Sequence, residues 1–274
     1  MIYVLTLTWN GLDSLKKLKG GLIRNLNNVD TDYDAVWCVR DNGSTDGTAE
    51  WLNEIRKYGN VATLPLLIDH NRDNFAQGVN SLANMVYDEY DYANSNDFFL
   101  LLNNDVEFVD DTSLLKMMHL MKDPKVGVVG ARLLYSGTNK LQHGGVIFGR
   151  RYSNMPYHYR HQEESDKHAE KNRYFQAVTA ACCLIRAKAF QKMSEIYFWS
   201  FEDTDLCLRI KKAGWKIAYC GETRIYHEES ASLKKNPVNK MFLQQNVEHF
   251  KSKWFGKYEL DHEKYLKNPN YKVI

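Results

Sequence analysis

The sequence carries no G-x-G-x-x-G after its first apolar run and no G-x-x-x-x-G-K-[ST] anywhere, which disfavours both a dinucleotide-binding Rossmann enzyme and a P-loop nucleotidase. No apolar run is long enough to cross a bilayer. The opening residues MIYVLTLTWN hold neither a basic region nor a small-residue cleavage site, so they read as a strand rather than a secretion signal. The five cysteines (Cys38, Cys182, Cys183, Cys207, Cys220) include no C-x-x-C pair. An odd set without metal spacing reads as buried, reduced thiols, which points to the cytoplasm. Charge of one sign is not in excess either: 36 Lys and Arg against 34 Asp and Glu leave +2, too balanced for holding nucleic acid by bulk electrostatics alone. There is no internal repeat and no low-complexity segment. The 274 residues, 44% hydrophobic, suffice for one large α/β domain with a sizeable core.

The stretch from Phe98 to Phe108, FFLLLNNDVEF, organises the rest. Its five apolar residues in a row suit a strand covered on both faces. Asn103, Asn104 and Asp105 follow at once. In an open α/β sheet, ligands bind just beyond the carboxyl ends of the strands, and a hard divalent cation favours such an oxygen-rich setting. The same residue types also make an ordinary polar turn. Upstream, Ile2 to Leu7, Val36 to Val39 and Leu64 to Ile68 are strand-like. Helical patterns fall at Leu12 to Leu22 (with Asn10 or Asp13 as cap), Ala49 to Tyr58 and Val79 to Tyr87. That alternation predicts a doubly wound, mainly parallel sheet with helices on both faces. The loops at Asn10, at Asp41 and from Asn71 to Asn80 should then share one sheet edge with Asp105. Downstream, helices are expected at Ser113 to Met121, from Lys188, through Arg209 to Ala213 and from Phe242 to Phe255. Strands are expected at Val126 to Val129, Leu141 to Phe148, Lys216 to Tyr219 and Arg224 to His227. His143-Gly144-Gly145 suggests a close backbone approach. Gly149 to Arg173, rich in His, Arg, Lys and Tyr, reads as a long exposed loop.

Thr8-Trp9-Asn10, Val39 to Thr48 (VRDNGSTDGT), Leu101 to Val106 (LLNNDV), Phe201 to Arg209 (FEDTDLCLR) and His227 with Ser230 occur in that order. Together they resemble the motifs of family 2 glycosyltransferases of the GT-A fold, in particular the rhamnosyltransferase-like branch. The resemblance runs from the first strand to about Trp254. It implies one continuous domain over residues 1–255, with a nucleotide-sugar half (1–105), an acceptor and catalytic-base half (106–255) and a C-terminal tail (256–274). It further implies an inverting, metal-dependent enzyme using Mn2+ or Mg2+. Thr8, Asn10, Asp41, Asn74 and Asn104 would bind the nucleotide, Asp41 facing a pyrimidine base. Asp105, with Asn103 and His227, would hold the metal, and Asp203 would be the catalytic base. Asp205 and Arg209 would fix the helix that presents Asp203, whose N-terminus favours a charged carboxylate.

Five departures stand out: Arg40 before Asp41, Asn74 for a Gly before Phe75, Asn103 for the first Asp of the metal motif, Ala181 for a Gly before the cysteine pair, and a shortened Met193-Ser194-Glu195. The implied reaction moves a sugar from a UDP- or dTDP-sugar to a glycan or lipid-linked saccharide. Peripheral membrane contact stays open. So does a nucleic-acid acceptor, since Arg150, Arg151, Arg160, Lys167, Lys171 and Arg173 interleave with Tyr152, Tyr157 and Tyr159. A metal-dependent nucleotidyltransferase would use the same carboxylates without a separate base, and a binding protein would keep the pocket without catalysis.

Overall fold

A computed structural model describes residues 1–29, 33–58, 62–63, 67–68, 73–89, 96–150, 153–198, 200–228 and 238–274. The chain begins with β1 (Ile2–Thr8), α1 (Leu12–Asn27), β2 (Ala35–Asp41), α2 (Thr48–Tyr58), the short β3 (Ala62–Thr63) and β4 (Leu67–Ile68), α3 (Phe75–Glu89) and β5 (Phe98–Leu102). β1 pairs in parallel with β2 on one side and β5 on the other. The chain therefore moves outward from β1 and returns past it, which puts the topological switch point, and the ligand crevice, at the carboxyl ends of β1 and β5. Of the third strand expected at Leu64 to Ile68, only residues 67–68 lie within the described structure, as do residues 73–80 of the loop expected from Asn71.

The second half adds β6 (Val106–Phe108), α4 (Ser113–Leu120), β7 (Val126–Tyr135), β8 (Leu141–His143), β9 (Val146–Phe148), β10 (Pro156–His158), β11 (Arg173–Phe175), β12 (Cys182–Arg186), α5 (Glu202–Lys212), β13 (Lys216–His227), α6 (Val238–Trp254) and α7 (His262–Lys267). The main sheet runs β11-β13-β7-β12-β5-β1-β2-β3. β12 enters antiparallel between β5 and β7, and β13 continues parallel to β7. Alternate residues of each central strand supply two separate cores. Tyr3, Leu5, Phe99 and Leu101 pack with α3, α5 and α6 on one face, while Ile2, Val4, Phe98, Leu100 and Leu102 pack with α1, α2 and α4 on the other. Period-two alternation accounts for the split, and burying each such side chain contributes roughly 2 kcal/mol. The continuous apolar run of β5 thus has a helix layer on both sides.

Several local expectations change. Neither Asn10 nor Asp13 caps α1; its Leu12 N–H donates to the Asp46 carboxylate at 3.1 Å, and the same carboxylate receives Thr48 N–H at the start of α2, also at 3.1 Å. Thr8 lies in register with Asp41, so the loop after β2 folds over the start of α1 and supplies its cap from outside the local sequence. The short strand expected at Val126 extends to Tyr135, and the two late strands are one, β13, broken by a bulge between Cys220 and Ile225. Leu141 to Phe148 splits into β8 and β9 around Gly145, whose φ is 102° and where a Cβ would lie 2.4 Å from the Phe175 ring. From Lys188 there is only a single 3-10 turn, Ala187–Ala189.

The stretch from Gly149 to Arg173 is not a simple exposed loop. It contributes β10, which pairs antiparallel with β9, and buries Met155, Tyr159, Ala169 and Arg173. Its polar residues pair with one another: Arg160 bonds Glu163 and Asp166, and Arg173 bonds the carbonyls of Tyr271 and His168. Local pairing of this kind is invisible to a composition argument. Residues beyond Trp254 pack back as well, with Tyr265 and Asp261 buried.

Candidate active site

One side of the candidate site is built where β1 and β2 end together. Asn10 has a left-handed φ of 47°, donates its backbone N–H to Ser44 Oγ at 2.7 Å and accepts Thr45 N–H on Oδ1 at 2.8 Å. Asp41 is fully buried and accepts Ser44 N–H at 3.2 Å and the Ser44 hydroxyl. Asn104, from the turn after β5, donates to Thr8 Oγ1 at 2.9 Å. Gly11 makes that approach feasible, because a Cβ there would sit 2.3 Å from Asn104 Nδ2. These contacts bring Thr8, Asn10, Asp41 and Asn104 to one edge. Asn74 forms a capping box with Gln77 at the start of α3, Gln77 N–H donating to Asn74 Oδ1 at 2.8 Å and Asn74 N–H to Gln77 Oε1 at 2.9 Å. Its side-chain amide donates to Glu195 O at 3.0 Å. Arg40 closes the same side through a 2.6 Å ion pair with Asp73.

The Asp105 side depends on the pairing of β6 with β13, in which Val106 faces His227. That register carries Asp105 and His227 together, and Glu228 N–H donates to Asp105 O at 3.0 Å. His227 Nε2 lies 3.1 Å from Asp105 Oδ1 and 3.2 Å from the Asn103 amide nitrogen. Among the described residues no three His, Cys, Asp or Glu side chains are grouped to hold a metal; the third group in reach is the Asn103 amide. Gln142, which the sequence does not single out, receives His227 Nδ1–H on Oε1 at 2.6 Å and donates Nε2–H to His227 O at 3.4 Å.

Asp203 sits in the first turn of α5, which is entered through Ser200 and Phe201 at φ values of 75° and 74°. Two successive left-handed non-glycine residues store strain of about 1–3 kcal/mol each and aim the helix start. Asp203 receives Thr204 N–H at 2.6 Å and Ala180 N–H at 3.3 Å, and Thr179 adds a side-chain hydrogen bond. Burial raises its pKa despite these bonds; the helix N-terminus does not win over desolvation, contrary to the expectation of a readily charged carboxylate. Burial also raises Glu202, and the charge of Asp203 raises it further. Asp205 is fully buried on the other side of the helix. Arg209 Nε donates to it at 2.8 Å, Lys253 Nζ at 2.6 Å and Trp254 Nε1 at 2.7 Å. Burial alone would raise it, but these three donors hold it below the usual carboxylate value.

A mainly parallel α/β sheet with helices on both faces, an Asp–His pair at its switch point and a partly buried carboxylate on a separate helix fit the GT-A class of fold. Residues 13–244 match the sequence profile of the glycosyltransferase-like family 2, and the chain belongs to that family. It is 29% identical over 228 residues to an uncharacterised protein, y4gI, of Sinorhizobium fredii (79% of this chain, 24% of that protein). It is 32% identical over 153 residues to the O-antigen biosynthesis protein RfbC of Myxococcus xanthus (53% and 12%). Over 218 residues it is 24% identical to the N-acetylglucosaminyl-diphospho-decaprenol L-rhamnosyltransferase of Mycobacterium tuberculosis (73% and 69%). The chain thus spans a quarter or less of the first two. Among solved structures it resembles GalNAc-T7 in complex with UDP, GalNAc and Mn2+ (TM-score 0.65, 12% identity, 100% of this chain and 55% of that one). It also resembles the mannosyltransferase PcManGT from Pyrobaculum calidifontis in complex with GDP-Man and Mn2+ (TM-score 0.59, 16% identity, 97% and 69%). At these identities the likeness concerns the fold.

Proposed function

We propose that this chain is an inverting glycosyltransferase that moves a sugar from a pyrimidine nucleotide-sugar, a UDP- or dTDP-sugar, to a hydroxyl of a glycan or lipid-linked saccharide, with Mn2+ or Mg2+ as cofactor. The observation that carries the reading is the convergence of Asp105 Oδ1 and His227 Nε2, 3.1 Å apart, beside the crevice. Gln142 Oε1 fixes the proton of His227 on Nδ1, which leaves a lone pair on Nε2 facing a carboxylate oxygen. Asn103 Nδ2–H donates to that lone pair at 3.2 Å. A divalent cation would replace this hydrogen bond and sit between Nε2 and the carboxylate, with the Asn103 amide oxygen as a third donor once the amide turns. Such a cation, when bound, neutralises the charge of a leaving diphosphate.

The chain's own groups supply the rest. Thr8, Asn10 and the Asp41 loop hold the nucleoside at the strand ends, and the Arg40–Asp73 ion pair closes that side. Asp203 comes from a different segment, on α5. Its carboxylate takes the proton of the acceptor hydroxyl as that oxygen attacks the anomeric carbon from the face opposite the diphosphate. The M. tuberculosis relative is named for rhamnosyl transfer to a decaprenol-linked saccharide, which supports a saccharide or lipid-linked acceptor. The nucleic-acid reading loses its support, since Arg160, Lys171 and Arg173 are engaged with Glu163, Asp166, Asn270 and backbone carbonyls. All five cysteines are buried and free, in keeping with a cytoplasmic location. No helix among the described residues is long and apolar enough to cross a membrane.

The test pairs donor binding with turnover on one preparation. Calorimetry with UDP, dTDP and GDP in the presence of Mn2+ identifies the base preference, and mass spectrometry of products from a panel of sugar nucleotides and acceptors identifies the reaction. Asp203→Asn should keep nucleotide affinity and lower turnover by about a hundredfold or more. Near-normal turnover would remove Asp203 from the role of base, and a matching loss of donor affinity would place it in the donor site.

A further inference from the structure

β8 is three residues long, and its register against β7 slips: Leu133 faces His143, and Leu134 faces Leu141 rather than the next residue. Gln142 is therefore the extra residue of a β-bulge. A bulge re-aims a side chain that regular alternation would place elsewhere. Gln142 is buried, and its amide grips His227 at two points, Oε1 on Nδ1–H at 2.6 Å and Nε2–H on the His227 carbonyl at 3.4 Å. The second contact fixes which way round the amide sits, and so fixes the histidine tautomer.

The neighbouring residue faces the other half of the site. His143 Nε2 accepts Thr179 N–H at 3.3 Å, so its proton lies on Nδ1, which donates to His158 Nδ1 at 2.7 Å. Burial keeps both rings neutral. Thr179 and Ala180 in turn donate to Asp203. Gly144 and Gly145 follow directly, and side chains there would collide with Leu141 and Phe175, so the backbone that holds this pair has little freedom.

We propose that the Gln142-His143 bulge is a shared positioning element: Gln142 holds His227 in the tautomer that presents Nε2 to a divalent cation, and His143 holds the Thr179-Ala180 turn that orients Asp203. The inference rests on the metal-dependent reading above. It makes a specific claim about the metal: removing a hydrogen-bond partner behind a ligating histidine weakens metal affinity about 10- to 100-fold. Nδ1 is the only ring nitrogen that Gln142 touches, so the effect must travel through the tautomer.

The full chain is titrated with Mn2+ alone, by calorimetry or electron paramagnetic resonance, as wild type, Gln142→Leu and Gln142→Glu. Circular dichroism confirms the fold of each. The metal-free proteins are compared by NMR of 15N-labelled histidine, with His227 assigned by substitution. Wild type should show His227 protonated on Nδ1. Gln142→Leu should show mixed tautomers and a Mn2+ Kd raised about 10- to 100-fold, and Gln142→Glu, which keeps an acceptor, should restore both. His143→Leu should leave Mn2+ affinity unchanged while lowering kcat, with recovery in His143→Gln, which again offers an acceptor. Unchanged Mn2+ affinity in a folded Gln142→Leu, or a wild-type His227 protonated on Nε2, overturns the inference alone. A wild-type chain that binds no Mn2+ overturns the metal reading together with it.

Discussion

The histidine pair that joins β8 to β10, His143 buried and His158 half-buried, makes stability at mildly acid pH a test of the fold around the site. His143 lies well below the ordinary histidine pKa because of burial and the nearby rings of His158, His227 and His161. Burial, with His161 and His227, brings His158 from 6.5 down to about 4. A histidine whose folded pKa is depressed binds fewer protons folded than unfolded, so its stabilisation is complete above 6.5 and is lost as pH falls from there toward 4. At about 1.4 kcal/mol per pH unit, His158 alone removes about 2 kcal/mol by pH 5. Glu202 and Asp203 act in the opposite sense, since their raised values favour the folded chain as they protonate. The informative quantity is therefore the difference between wild type and His158→Asn, which keeps an acceptor for His143 Nδ1–H and cannot titrate. Urea denaturation followed by circular dichroism at pH 7, 6 and 5 should show wild type losing about 2 kcal/mol relative to the variant. Parallel curves for the two proteins would refute the neutrality of the pair.

Two further outcomes follow from the site geometry. Asp105→Ala should weaken Mn2+-dependent UDP binding far more than Asn104→Ala in calorimetric titrations, because a carboxylate offsets cation charge whereas Asn104 donates to Thr8 Oγ1; equal losses would reduce Asp105 to a turn residue. Asp205→Ala leaves Arg209 and the Trp254 indole without their buried acceptor and should cost about 3–5 kcal/mol in denaturant unfolding, where a loss below about 1 kcal/mol would contradict the burial of that network.

The sheet was legible because its strands obey short-range rules. β5 reads as an apolar run, β1 and β2 as β-rich runs closed by polar residues, and the order of strands and helices implies parallel pairing and one shared edge. What was not legible depends on register. Nothing near Leu12 indicates that Asp46 will cap α1, since that follows from Thr8 lying beside Asp41. Gln142 carries no signal as an isolated glutamine. Its role comes from a one-residue slip between β7 and β8, although the Gly144-Gly145 pair beside it did mark a close backbone approach. Asn74, expected at the nucleotide, also caps α3, and the Asn-x-x-Gln spacing with Gln77 that marks this is close in form to a capping box. Arg160 and Arg173 read as surface charge until the partners that draw them inward are known.

Glu202 and Asp203 are adjacent in the first turn of α5, and residue type alone does not choose between them as the proposed base. Their environments separate them. Asp203 keeps hydrogen bonds from Ala180, Thr204 and Thr179 that favour its charged form, whereas Glu202 Oε2 is buried without a partner among the described residues. Burial raises both, but the charge on Asp203 is what raises Glu202 further, so Asp203 ionises first and Glu202 remains a neutral acid in the competent state. Pairs of carboxyls driven apart in this way divide their roles, and the two protons leave as steps of the pair. Replacing a neutral acid with a neutral amide changes little, so Glu202→Gln should retain turnover within a few-fold, with the acid limb of kcat scarcely moved. If Glu202 were the base, the same substitution would lower kcat by about a hundredfold or more. A pH profile of kcat for Glu202→Gln beside Asp203→Asn decides between them: a collapse in the first with survival of the second would reverse the assignment.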